Sequence, residues 1–410
     1  MGIDEILFLA ESKIEKLNKQ HEEIALYNQE KVLNAFSKNA IAMRHFAGTN
    51  GYGYDDIGRD TLNKVFSDVF NTEAAIVSPS LTCGSHALAT ALLGLLNRKG
   101  QILFSLTGKP YDTLSEVVFG KENEDIGSLK DFGVEYYGVE FKDGKIDYDE
   151  IENQLKNIQP TLLYIQRSRG YSSRDALSID EIAKLIKFAR KFSDVPILVD
   201  NCYGEFVDKL EPTDVGADLC VGSLIKNIGG GIAPTGGYIV GKQKLIDKIS
   251  YRFSSPSLGL EVGSYAFGYR LFYQGLFLAP HVTCQALKGC QLMSAVFDEL
   301  GYEVLPKPGL FSSDIITSVV LKDRQTLIDV CEIIQSVSPV DSFVKPMPWE
   351  MPGYTSEVIM AAGAFVAGSS IELSCDAPVL EPYMLYIQGG LTYEHVKIAA
   401  RKCIEKLLNR

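Results

Sequence analysis

Ala217-Asp218-Leu219-Cys220-Val221-Gly222-Ser223-Leu224-Ile225-Lys226-Asn227 decides how this chain reads. Its apolar centre has strand character, and the strand runs out into Ser-x-x-Lys. Upstream, Pro196-Ile197-Leu198-Val199-Asp200-Asn201 is a second apolar run, ending on a carboxylate. Two such strands deliver an aspartate, a hydroxyl and an amine to the carboxyl end of a sheet, where open α/β proteins bind ligands. Alone, Ser-x-x-Lys is a weak signal, since a lysine in such a string is ordinarily a solvated surface residue. Its neighbours give it weight.

The alternation continues on both sides. Apolar strand candidates fall at 75–77, 101–105, 133–138, 161–165, 196–199, 219–222 and 237–240, with helical patterns at 85–97, 147–157 and 178–192 between them. Strands separated by helices predict an α/β fold with a mainly parallel central sheet covered on both faces. Residues 3–38 read as one helix, with Ile6, Leu7, Leu9, Ile14, Leu17, Ile24, Leu26, Val32 and Leu33 at helical spacing. Gly48, Gly51, Gly53 and Gly58 then break the pattern, interleaved with Tyr52 and Tyr54. After the sheet comes a largely helical stretch over 242–301. The tail predicts strands at 315–321 and 371–374 and helices at 324–337 and 392–408. The expected organisation is an N-terminal helical arm (1–45), a large α/β domain (46–285) and a smaller C-terminal α+β domain (286–410).

At 410 residues the chain exceeds one ordinary core. Hydrophobic and charged contents of 46% and 22% are those of a soluble globular protein. A net charge of −12 argues against nucleic acid and anionic membrane as partners, since both reward clustered Lys and Arg. No apolar run approaches a membrane span, and the first residues lack a secretory pattern. The eight cysteines form no Cys-x-x-Cys and the five histidines do not pair with them at ligand spacing. Reduced thiols in a cytoplasmic protein, and no metal site, are expected.

Two turns precede Asp200 in the chain. Thr82-Cys83-Gly84-Ser85-His86-Ala87 opens a helix, where backbone N–H groups beside a glycine make an anion site; the same string also reads as a simple cap by Ser85. Lys109-Pro110-Tyr111-Asp112-Thr113 follows a strand and offers an aromatic ring that either stacks on a planar ligand or merely packs. Beyond Lys226, the glycine-dense 229–237 lacks the Gly-Lys-Ser/Thr of a phosphate loop. Glycine turn, aromatic turn, aspartate at a strand end, then Ser-x-x-Lys is an order that suits pyridoxal 5'-phosphate (PLP). The lysine meets its aldehyde, the hydroxyl its phosphate, and the carboxylate keeps its pyridine nitrogen protonated.

Longer strings carry a resemblance: Tyr52-Gly53-Tyr54-Asp55-Asp56-Ile57-Gly58-Arg59-Asp60, Val199-Asp200-Asn201-Cys202-Tyr203-Gly204-Glu205-Phe206, Met351-Pro352-Gly353-Tyr354, Gly368-Ser369-Ser370-Ile371-Glu372-Leu373-Ser374 and Gln388-Gly389-Gly390-Leu391-Thr392-Tyr393-Glu394-His395. Over nearly its whole length the chain resembles the methionine γ-lyase-like group often labelled aluminium resistance proteins, within the cystathionine γ-synthase/β-lyase superfamily. The resemblance implies the fold-type-I, PLP-dependent transferase-like architecture. It also implies a PLP-dependent carbon–sulfur lyase acting on a sulfur amino acid such as cystathionine, cysteine or methionine. By the same resemblance Lys226 is the Schiff-base lysine and the acid/base, Asp200 pairs with the pyridinium nitrogen, and Tyr111 stacks on the ring. Gly84, Ser85 and Ser223 hold the phosphate. Tyr54 and Arg59 match residues that relatives bring to the phosphate from a neighbouring subunit, which implies a homodimer or homotetramer with shared active sites.

Two departures bear on the substrate. Relatives hold its carboxylate with a C-terminal arginine, and residues 373–400 contain none. The string Gln166-Arg167-Ser168-Arg169-Gly170-Tyr171, with Arg174, offers Arg167, Arg169 and Arg174 instead, or is simply an exposed loop. Ile225 stands where many relatives carry a hydroxyl. Two competing readings stay open: another PLP reaction on an amino acid, such as γ-replacement or racemisation, and a PLP-binding protein with little turnover.

Overall fold

The computed structural model describes residues 1–172, 174–350 and 356–409. The string Met351-Pro352-Gly353-Tyr354, which contributes to the resemblance, lies outside the described residues. Helix α1 (Ile3–Lys38) buries Ile6, Ala10, Ile14, Leu17, Ile24 and Val32 along one stripe. Leu26 and Leu33, expected on that stripe, are 72% and 49% exposed. At about 100° per residue, two steps from Ile24 carry Leu26 to the far side of the helix.

Helix α2 (Ile57–Val69) starts where the Asp56 side chain accepts from the N–H of Arg59. Strand and helix then alternate: β1 (Ala74–Ser78), α3 (Gly84–Leu95), β2 (Ile102–Ser105), α4 (Asp112–Phe119), β3 (Glu135–Gly138), α5 (Tyr148–Asn157), β4 (Leu162–Gln166), α6 (Ile179–Ala189), β5 (Ile197–Asp200), β6 (Leu219–Ser223) and β7 (Gly237–Gly241). They form one seven-stranded sheet, in the order β1-β7-β6-β5-β4-β2-β3. The pairings from β3 across to β6 are parallel, and β7 runs antiparallel to both its neighbours. Strands β4, β5 and β6 are buried along their whole length, because helices cover both faces.

The helical stretch expected over 242–301 is two helices, α7 (Gln243–Phe253) and α8 (Arg270–Glu299), separated by an irregular segment. Helix α8 runs straight through the expected boundary at 285/286. Its Phe272, Tyr273 and Leu276 belong to the core against the seven-stranded sheet, and Leu292, Met293 and Phe297 to a core built with the C-terminal strands and helices. Helix α1 spans the same two cores, with Ile6 to Ile14 in one and Val32 and Ala35 in the other. The remainder comprises β8 (Glu303–Leu305), β9 (Ile316–Val320), α9 (Arg324–Ser336), β10 (Trp349–Glu350), β11 (Glu357–Ala361), β12 (Ser374–Pro378), β13 (Met384–Gln388) and α10 (Tyr393–Leu408). Its strands make a six-stranded antiparallel sheet, β10-β11-β12-β13-β9-β8. The strand expected at 371–374 begins only at Ser374.

Alternation along β12 and β13 gives this second sheet two different faces. Cys375, Ala377, Leu385 and Ile387 join the core under α9 and α10. Ser374, Asp376, Tyr386 and Gln388 turn the other way, toward the ends of the parallel strands. Among the described residues no helix is long and apolar enough to cross a membrane.

Candidate active site

Strands β4, β5 and β6 end side by side: Gln166 pairs with Asp200, and Asp200 with Val221. They open onto a cavity of about 300 Å³ whose far wall is the antiparallel sheet. Lys226 follows β6 into this space, with its Nζ 3.8 Å from the centre of the Tyr203 ring. Tyr203 and Phe206 take φ values of 72° and 60°, in the left-handed region that side chains other than glycine avoid. Asn227 Nδ2 fixes that bend by donating to the carbonyls of Tyr203 and Glu205, both at 3.1 Å.

Asp200 accepts from the N–H of Cys202 at 3.0 Å, and the Tyr164 hydroxyl lies 3.4 Å from its other oxygen. Burial raises its carboxyl above the ordinary range, against the downward pull of the Lys226 ammonium and those hydrogen bonds. Burial works the other way on Lys226, pressing its ammonium down. The acidic groups of Cys202, Tyr203, Asp200 and Glu205 outweigh this, and the free amine sits above its ordinary value.

Glu205 is fully buried and accepts from the Tyr238 hydroxyl at 2.9 Å. Burial, the leading cause, pushes its carboxyl up to about 8 from an ordinary 4.5. Across that window the folded state holds a proton that the unfolded state has lost, so this group makes stability fall as pH rises. The slope is up to about 1.4 kcal/mol per pH unit. Glu205→Gln should flatten the decline in urea midpoint between about pH 5 and pH 8. A variant whose midpoint tracks the wild-type decline would show that Glu205 is not held neutral.

Helix α3 starts at the cavity edge. A Cβ on Gly84 would lie 2.9 Å from Cys202 Sγ and 3.2 Å from Ser223 Cβ, so glycine is what lets the first turn of α3 close against the end of β6. The N–H groups that open α3 thereby join the hydroxyls of Ser85 and Ser223 around one concavity, at the positive end of the helix. Ser85 is not the cap: Cys83 holds that position, without a side-chain hydrogen bond. Ser85 Oγ lies 2.7 Å from Thr113 Oγ1 of α4 instead. Tyr111 is the residue before α4; its N–H donates to Gln166 Oε1 at 2.7 Å and its ring borders the cavity.

These groups fit PLP. Lysine and buried carboxylate share the cavity with an aromatic ring and a helix start that its glycine lets close against the end of β6. The Ser369 hydroxyl, 4% exposed and facing the same space, has no hydrogen-bond partner, as a ligand-facing group would before its ligand arrives. Among the described residues no group of His, Cys, Asp and Glu could hold a metal ion.

The remaining expected site residues lie elsewhere. Arg59 is buried away from this cavity, donating to the carbonyls of Gly53 and Gly263 and to Asp60. Tyr54 is exposed and stacked on Tyr52, with ring centres 5.4 Å apart. Arg167, Arg169 and Arg174, expected at a substrate carboxylate, form part of the scaffold, and none lines the cavity. Arg167 donates to Leu177 O, Asn201 Oδ1 and Gly204 O. Arg169 is paired with Asp314, and Arg174 donates to the carbonyls of Gln166 and Ser168 and lies over the Phe141 ring. Buried backbone carbonyls need donors, and this loop draws them from its own guanidinium groups.

None of the far-wall residues is among the site residues expected from the sequence, although the strings 368–374 and 388–395 contain several of them. The polar members of Ser374-Cys375-Asp376-Ala377-Pro378 and Met384-Leu385-Tyr386-Ile387-Gln388 alternate with apolar ones, a signal that was available.

A parallel sheet ending at a lysine, a carboxylate and a helix start, closed by a C-terminal antiparallel sheet, defines the class of PLP-dependent fold-type-I proteins. The PLP-dependent protein YhfS of Escherichia coli has this fold, with a TM-score of 0.62 over 93% of this chain and 96% of that one, at 17% identity. Residues 3–408 match the methionine gamma-lyase family, and the chain belongs to it; PLP is the cofactor of that family. A carbon-sulfur lyase involved in aluminum resistance from Clostridium novyi NT is 49% identical, with a TM-score of 0.94 over 98% of this chain and 95% of that one. The uncharacterized protein YnbB of Bacillus subtilis is 48% identical over 402 residues, 98% of this chain and 95% of the relative.

Proposed function

We propose that this protein is a PLP-dependent lyase that breaks a carbon–sulfur bond in a sulfur-containing amino acid. The observation that carries the reading is the meeting of Lys226, Asp200, Tyr111 and the start of α3 in one cavity between the two sheets. When bound, the cofactor supplies an aldehyde that captures amines and a protonated ring that takes up the electron pair left behind by a departing α-proton. Lys226 would hold the cofactor covalently, and its amine would carry the substrate's α-proton. The Asp200 carboxylate, fixed by the Cys202 N–H, keeps the ring nitrogen protonated. Tyr111, whose ring borders the cavity, would supply an aromatic face to the cofactor ring. The amides opening α3, with the Ser85 and Ser223 hydroxyls, receive the phosphate. Ile225 offers no further hydroxyl there. The direct test is to supply the loaded enzyme with cystathionine, cysteine and methionine separately and follow the products. Pyruvate or 2-oxobutyrate formed together with a thiol or sulfide is the expected result, and binding of all three without any such product would sink the lyase reading.

Within one chain the phosphate cup lacks a cation other than Lys226 among the described residues. We infer that a second copy supplies Arg59 and Tyr54. The Gly53 and Gly263 segments that carry Arg59 are joined by the Gly263 N–H to Tyr52 O bond at 2.9 Å. Around them Met43, Tyr52 and Tyr54 are exposed and Phe267 is 90% exposed, apolar surface that a second subunit would cover. Arg59→Ala and Lys226→Ala proteins should each be nearly inactive. Mixed one to one under subunit exchange, they should recover about a quarter of wild-type activity, since only mixed dimers carry one intact site. No recovery despite demonstrated exchange would place Arg59 in its own chain's site or outside any.

A further inference from the structure

Lys226 enters the cavity from the end of β6, and among the described residues no group hydrogen-bonds to its Nζ or pairs with it as an ion. What its ammonium meets is the face of the Tyr203 ring, whose centre is 3.8 Å away. A cation is drawn to a π face within about 6 Å, and more strongly where water is excluded. The other titratable groups that act on this amine, Asp200, Cys202 and Glu205, belong to β5 and the bend that follows it. They act on it by charge, without a hydrogen bond to it.

The ring is held there against strain. At φ 72° Tyr203 occupies a region that a bulky residue enters only where its surroundings over-determine it. Glycine or asparagine would take that φ more readily, and neither would put a π face beside the amine. Asn227, the residue after Lys226, fixes the bend through the carbonyls of Tyr203 and Glu205. The ring itself packs on an apolar cluster that includes Val207, Ile371 and, from α8, Val282 and Ala286. Its place is therefore set by the core, and one dipeptide supplies both the amine and the clamp on the residue that receives it.

We propose that Tyr203 is a positioning residue for Lys226. Its ring is the seat on which the free amine lies, and the face that stabilises the ammonium once that amine has taken a proton. The proposal rests on the lyase reading only for the step in which the amine is used, because the contact belongs to the protein without its cofactor. The ring acts through its π face and not through its hydroxyl. Phenylalanine should therefore serve in its place, and an aliphatic side chain should not.

The test uses the full-length protein freed of PLP, with its lysines isotope-labelled at Cε for magnetic resonance. The Lys226 signal is identified by its loss in Lys226→Ala. In the wild type the ring current of Tyr203 should displace the Lys226 ε-methylene protons upfield. Tyr203→Phe should keep that displacement, and Tyr203→Leu should abolish it. Loss of the π face should also lower the pH at which the amine gives up its proton by about one pH unit. At a fixed pH below that point the Leu variant then holds about ten times as much free amine. Should the Leu variant fail to accumulate, Tyr203→Asn, which suits the left-handed φ, reads the same two quantities. A tyrosine that only packs would move neither of them in a folded variant. An unshifted signal in the wild type, a Leu variant unchanged in either quantity, or a Phe variant that behaves like the Leu one would each overturn the proposal. Thiol release by a protein whose Lys226 signal is unshifted removes the seat and leaves the lyase reading. A displaced signal in a protein that releases no thiol does the reverse.

Discussion

Lys226→Ala protein, purified and mixed with PLP, should lack the visible absorbance of lysine-bound cofactor and lose turnover by about ten-thousand-fold or more. Both losses come from one amine. Lys226 is the cation among the described residues lining the cavity, so no other basic side chain there replaces it as an anchor or as the group that carries the α-proton. The fold should survive, because alanine removes the desolvation cost of the Lys226 ammonium together with its attraction to Asp200, which keeps its bond from the Cys202 N–H. The phosphate cup at α3 is untouched as well, so PLP should still bind without covalent attachment. A Lys226→Ala protein that retains the visible band would show that another lysine holds the cofactor. One that keeps the wild-type turnover would end the role given to this residue.

Arg169→Ala should destabilise the protein by about 3–5 kcal/mol, the cost of leaving a buried carboxylate unpaired. Arg169 and Asp314 have side chains only 1% exposed, and two nitrogens of the guanidinium meet the two carboxylate oxygens at 3.2 Å. A third donates to the carbonyl of Leu305 at the end of β8. Asp314 in turn accepts from the N–H of Ile316, the first residue of β9. The pair therefore ties the loop after β4 to the C-terminal sheet, and that loop contributes Ser168, Gly170 and Tyr171 to the cavity. Urea denaturation monitored by circular dichroism should show a large drop in midpoint for the single variant. The double replacement Arg169→Met with Asp314→Leu should recover most of it, since two apolar groups of similar size leave no charge stranded. A single variant that unfolds at the wild-type midpoint would mean the pair is solvated in solution and does not tie the loop down.

The contrast between Lys226 and Arg169 shows which parts of this protein can be read from its sequence. Asp200, Ser223 and Lys226 were legible because parallel strands in a doubly covered sheet are continuous apolar runs, and whatever polar residue ends such a run faces the ligand crevice. Gly84 was legible because it opens an apolar helix. Arg169 was not, because its partner lies 145 residues away, and a basic loop between two apolar segments looks the same whether its charges face water or buried carbonyls. Helix α4 was hidden behind the turn at Tyr111, which was read for its ring and not for the helix it introduces. The strands of the far wall are two to five residues long, and Pro378 and Pro382 break the pattern between β12 and β13. That is too short for periodicity to stand out, although the alternation that sets Asp376 and Tyr386 apart from Cys375 and Ile387 is present in the letters. The split of α1 between two cores has no local signature either, since one apolar stripe looks alike whichever domain it meets.

The central claim, that Lys226 is where this protein holds PLP, is tested most directly by reducing the PLP-loaded wild-type protein with borohydride and mapping the modified peptide by mass. The account predicts one phosphopyridoxyl adduct per chain, on the peptide that contains Lys226. An adduct on a different lysine, or none in a protein that has taken up the cofactor, would contradict it.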